Sequence, residues 1–137
     1  GAFPQPFAAF EEGRGGMRTV FTSTDGIGQQ EDLMLLLVKE TFLQEHPQVV
    51  RDFLSDLVAA TDYYVNSPEQ SHQKLIDAKF VNIPLEMSLN MRKYEHPMDA
   101  KVDQSSMEKM VDTLQEFGYI NGDLDLKTVV DMSYLPE

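Results

Sequence analysis

Three histidines, His46, His72 and His96, are the side chains of this 137-residue chain suited to proton transfer near neutral pH or to metal ligation. None stands four residues from another, so a helical H-x-x-x-H metal pair is missing. His46 precedes Pro47 at an expected helix start, His72 falls on a polar helix face, and His96 sits in a connector. In "NGDLDLKTVVDM" the alternation of Asn121, Asp123 and Asp125 imitates a calcium loop, but Leu126 holds the turn position that needs glycine and Met132 the place of a bidentate glutamate. An acidic turn that caps a helix accounts for it better. "DGIG", Asp25 to Gly28, lacks the lysine and the further glycines of a phosphate cradle. It suits a ligand-facing loop, with Ser23, Thr24 and Asp25 at the carboxyl end of a strand, where open sheets bind ligands. There is no G-x-S-x-G, no placeable Ser-His-Asp set and no cysteine, which leaves no nucleophile with its base, no thiol chemistry and no Cys-ligated zinc. No catalytic residue, no metal and no cofactor is expected.

The elements that must position these residues change character near Pro47. "PFAAFEEGRGG" reads as a short helix opened by Pro6 and stopped by glycines. "MRTVFTS", Met17 to Ser23, is rich in β-branched and aromatic residues and predicts a strand. "TDGIGQQED" predicts a loop, and "LMLLLVKE", with its apolar run Leu33 to Val38, a strand covered on both faces. From Pro47 the apolar positions Val50, Phe53, Leu54, Leu57, Val58 and Tyr64 form one helical stripe that stops near Asn66. Ser67, Pro68, Glu69 and Gln70 read as a capping box that opens the next helix. Further helices are expected from Ile83 to Glu95, along Met107, Met110, Val111, Leu114 and Phe117 up to Gly118, and around Leu126 to Met132. The fold class read from this order is α/β, with two or three strands followed by a helical C-terminal half. Residues 1–46 hold strands and short helices, and residues 47–137 mainly helices, in one domain. Two strands are too few for a sheet, so its neighbours are expected upstream.

Composition narrows the partners. Twenty-three acidic residues against eleven basic ones give a net charge of -12, which repels a phosphate backbone and anionic lipid alike. No nucleic acid is expected. The longest apolar run is far short of the ~20 residues that cross a bilayer as a helix, so no direct membrane insertion is expected in this segment.

The segment "FLQEHPQVVRDFLSDLVAATDYYVNSPEQ" resembles a stretch of the periplasmic substrate-binding proteins of the nitrate, sulfonate and taurine type, a group that includes thiamine-pyrimidine binders and related pyrimidine-synthesis domains. "RKYEHPMD" and "MEKMVDTLQEFGYINGDLDLKTVVDMSYL" are similar to later segments of the same proteins, and "GAFPQPFAAFEEGRGGMRTVFTS" to an earlier one, in the same order. The resemblance implies the C-terminal portion of a type II periplasmic-binding-protein fold, a partial lobe cut near the hinge at Gly1 and Ala2. It implies a non-enzymatic solute-binding component of an ABC importer, which captures a small molecule between two lobes and, as the full-length protein, delivers it to a membrane permease. The implied location is periplasmic or extracellular, with a lipid anchor on a missing N-terminus as one route. The family's W-[DE]-P corresponds here to Pro4, Gln5 and Pro6, so the aromatic and the acid are both replaced and Gln5 is left to hydrogen-bond the ligand. The other implied lip of the cleft is Ser23, Thr24, Asp25 and Gly26, and Phe3 is placed either against the ligand or in the core. Alternatives that stay open are a pyrimidine-synthesis enzyme and the ligand-sensing domain of a signalling protein.

Overall fold

A computed structural model describes residues 3–28 and 34–137. Among these residues every regular element is helical: α1 (Phe7–Arg14), α2 (Ser23–Ile27), α3 (Glu40–Glu45), α4 (Pro47–Asn66), α5 (Pro68–Asp77), α6 (Leu85–Asn90), α7 (Gln104–Glu116) and a single 3-10 turn at Leu126–Thr128. The α/β expectation, with its partial lobe of a sheet-based binding-protein fold, is therefore overturned.

The reason lies in what a strand needs. Its backbone groups are satisfied only by a neighbouring strand, whereas a helix satisfies its own. Of the two stretches read as strands, residues 17–22 carry no regular element and Ser23 already belongs to α2. Residues 34–39 likewise form neither strand nor helix, and α3 starts at Glu40. Leu33, residues 29–32 of the expected loop, and Gly1 and Ala2 lie outside the described residues. Where the strand was expected to give way to a loop, the local signal is Thr22-x-x-Asp25. The Asp25 carboxylate accepts from the Thr22 N–H at 2.7 Å, and the Thr22 hydroxyl accepts from the Asp25 N–H at 3.3 Å, a closed capping box that starts α2.

Prolines set the helix borders. His46 and Ser67 stand immediately before Pro47 and Pro68 and have nearly the same non-helical backbone, φ -133°, ψ 49° and φ -130°, ψ 59°. A proline ring crowds the residue before it out of the helical region, so each breaks one helix and opens the next. Ser67 makes no side-chain cap, so the capping box read from the sequence is not formed and the proline at the first position of α5 does the work alone. α6 is shorter than expected, since Met91 at ψ 147° leaves the helix and residues 91–96 run on without regular structure. α7 starts where Asp103 accepts from the N–H groups of Ser105 and Ser106, and the chain turns away after Phe117 through Gly118 at φ 73°. The expected helix around Leu126 to Met132 shrinks to the 3-10 turn.

Two compact units divide the chain, one of Gly1–Val20 with Ala59–His96, the other of Phe21–Val58 with Pro97–Glu137. In the first, α5 packs on α6, and Ser71, His72, Ile83 and Ser88 are buried. There Arg92 reaches back to Glu12 at 3.5 Å and donates to the Thr19 hydroxyl at 3.2 Å. In the second, Val50, Ser106 and Leu126 are buried, and Arg51 donates to the Ser133 carbonyl at 2.9 Å while its guanidinium lies over the Tyr134 ring. Of the stripe expected on α4, Val50 is buried, Leu54, Val58 and Tyr64 are half-buried, and Phe53 and Leu57 are exposed.

Candidate functional site

His72 gathers the most connected polar cluster of the first unit. Pro68 opens α5 and places Ser71 and His72 in its first turns, and Pro84 precedes α6 and places Ser88 one turn in. His72 Nδ1 lies 2.7 Å from Ser88 Oγ, with 1 % of His72 and 3 % of Ser88 exposed. The imidazole stacks on Tyr64, centroids 5.0 Å apart and planes 11° from parallel, and His96 meets the Tyr64 ring edge-on at 5.5 Å. Ser71 Oγ donates to the carbonyls of Tyr64 and Pro68, each at 3.2 Å, which fixes the start of α5 against the end of α4. Burial pushes the His72 pKa down and the nearby Lys93 ammonium pushes it further, against a hydrogen bond with the Ser88 backbone that favours the charged ring. Burial also raises the Tyr64 hydroxyl above its usual range.

A serine hydroxyl at hydrogen-bond distance from an imidazole is the pairing used to activate a nucleophile. Here it lacks access, since both side chains are buried, and no carboxylate among the described residues hydrogen-bonds the ring to orient it. His72 Nε2 is buried with no hydrogen-bond partner at all. The arrangement ties α5 to α6. The sequence reading put His72 on a polar face. A wheel of α5 that groups His72 with Leu75 and Ile76, three and four residues on, gives the face it shares with apolar neighbours.

A concave surface of the second unit lies between α7 and residues 123–127, a cleft of about 280 Å³. Glu108, Asp112, Asp123 and Asp125 line it with Lys127, over a floor that includes Val111 and Leu126. Gln115 Nε2 donates to the Gly122 carbonyl at 2.7 Å and holds the turn against α7. The Asp125 carboxylate accepts from the Lys127 N–H at 3.0 Å, so the motif that imitates a calcium loop is a cap for the 3-10 turn, as its sequence indicates. No group of three metal-ligating side chains occurs among the described residues. Four acidic residues and one lysine line the cleft, a balance that favours a neutral or cationic solute over an anion.

No family model, curated protein or solved structure matches this chain.

The six residues expected at a ligand are divided between the units, Phe3 and Gln5 in the first and Ser23, Thr24, Asp25 and Gly26 in the second. Phe3 is 47 % exposed. Gln5 Oε1 accepts from the Ala9 N–H at 3.3 Å and so serves the first turn of α1. Ser23 to Gly26 lie in α2 instead of a loop at a strand end, and their polar groups are drawn into the helix. Asp25 bonds Thr22, the Gly26 N–H donates to the Thr22 carbonyl at 3.2 Å, and the Thr24 carbonyl accepts from the Gly28 N–H at 2.8 Å. The His72 cluster was not among the expected site residues. Neither was the cleft beside α7, whose acidic turn the sequence had marked for capping alone.

Proposed function

We propose that this chain is part of a solute-binding subunit of an ABC importer, periplasmic or extracellular, which captures a small molecule and presents it to a membrane permease without transforming it. The observation that carries the reading is the α4 to α5 junction. The segment resembling the nitrate, sulfonate and taurine binders forms a long helix from Pro47 to Asn66, a one-residue break at Ser67 and a second helix from Pro68, which supports matching the two proline positions to that segment. The sheet expected around it plays no part in the proposal. Within the implied solute classes, those with an amine, such as taurine or an aminopyrimidine, suit the net charge of -12 and the acidic cleft better than nitrate does.

Titration calorimetry on the longest native polypeptide that contains this chain tests the reading, with taurine, an alkanesulfonate, nitrate and an aminopyrimidine as ligands. Saturable binding of at least one, with the ligand recovered unchanged by NMR, is the expected outcome. A folded protein that binds none of them, or that converts a bound ligand, overturns it.

A further inference from the structure

We propose that His72 is a proton-sensitive latch between α5 and α6, closed while its imidazole is neutral and opened when the ring takes up a proton. The geometry supplies one acceptable state of charge. A neutral imidazole has one N–H and one bare nitrogen, and at His72 the Nδ1 side is matched to Ser88 Oγ at 2.7 Å while the Nε2 side faces no partner. An imidazolium has two N–H groups, so protonation creates a buried donor with nothing to accept it, which is costlier than the bare nitrogen it replaces. It also places a full charge in a site that is 1 % exposed.

A hydrogen bond with the Ser88 backbone favours the charged ring, but it ranks below burial and Lys93, which disfavour it. α4 contributes the Tyr64 face and α6 the Ser88 hydroxyl. The segment after α6 contributes Lys93, whose positive charge opposes a second one, and His96, whose ring meets Tyr64, the far partner of the stack. Ser88 is the sole α6 side chain bonded to His72, and α5 and α6 are the elements packed on each other here. Expelling the charged ring therefore removes the polar tie that seats α6.

The sign follows from the direction of the shift. The folded chain binds the His72 proton less readily than the unfolded chain, whose histidine has the ordinary value of 6.5. The stabilisation by the neutral seated ring is complete above that value and is lost as pH falls below it.

An NMR titration of the full chain from about pH 8 to about pH 4.5 tests the latch through the three histidine ring signals and the backbone amides. His72 is expected to titrate below the ordinary histidine value of 6.5, and the amides of α5 and α6 to shift with the His72 midpoint. Lys93 is exposed, so Lys93→Gln leaves the packing alone and is expected to raise that midpoint. His72→Gln should remove the acid-dependent shift of the α6 amides. Should that variant fail to fold, the wild-type and Lys93→Gln titrations still decide. A His72 midpoint at or above 6.5 overturns the proposal, and so do α6 amides that ignore it or a midpoint indifferent to Lys93→Gln.

Discussion

Ile83 is buried one position before the proline that precedes α6, and among the described residues it is the buried apolar side chain of the first unit. Truncating a buried isoleucine to alanine costs about 2–5 kcal/mol, against a typical total of about 5–15 kcal/mol for a domain. Ile83→Ala is accordingly expected to lower the urea midpoint strongly, and a loss under about 1 kcal/mol would show that the side chain is not part of a packed core. At this scale the sequence was legible where a residue acts on its own backbone. The capping role of Asp125 and the stop at Gly118 follow from local chemistry. The wheel that groups His72 with Leu75 and Ile76 marks its face, but its partners were not legible, because Tyr64 and Ser88 stand on other helices.

Helices in this chain are bounded by single residues, and α7 by an acid. Asp103 accepts from the Ser106 and Ser105 hydroxyls and N–H groups, which hold its carboxyl below the ordinary value, Ser106 first. A depressed carboxyl stabilises the fold above the unfolded pKa and ceases to as pH falls through the folded one, so the first turn of α7 should fray below about pH 4. Amide hydrogen exchange along residues 104–108 is the measurement. In Asp103→Ala the same amides should exchange faster at neutral pH and respond little to acid, and unchanged protection would remove the cap from the account. The prolines made α4 and α5 readable to the residue, since their effect reaches only one position. The strands failed for the opposite reason. "MRTVFTS" and "LMLLLVKE" have the composition of strands, but pairing is non-local, and where no partner lies alongside, the Thr22 to Asp25 box and the helix formers of α3 decide.

Across the whole molecule, two quantities stand out. The charge of -12 is spread over side chains that are mostly exposed, so self-repulsion acts against the compact state. Raising salt from about 10 mM to about 150 mM shortens the screening length to about 8 Å and is expected to raise the melting temperature. A melting temperature indifferent to salt, or lowered by it, would show that attractive ion pairs such as Arg92 with Glu12 outweigh the repulsion. The second quantity is apolar exposure. Val50, Ile83 and Leu126 are the apolar side chains buried among the described residues, while Met34 is 90 % and Leu37 88 % exposed. A chain of 137 residues is long enough to bury a real core, and the described residues bury a small one. The difference falls on the segments whose apolar pattern belongs to a sheet.

Arg51 ties the C-terminal tail to α4 within the second unit. Its bond to Ser133 spans 82 residues, and closing a loop of that length costs roughly 4 kcal/mol of chain entropy. One hydrogen bond and one ring contact return only about 1–2 kcal/mol. The C-terminal tail therefore cannot be recruited by Arg51 early. It is expected to dock only once other contacts have shortened the effective loop, which pulsed amide exchange would read as late protection of residues 131–134.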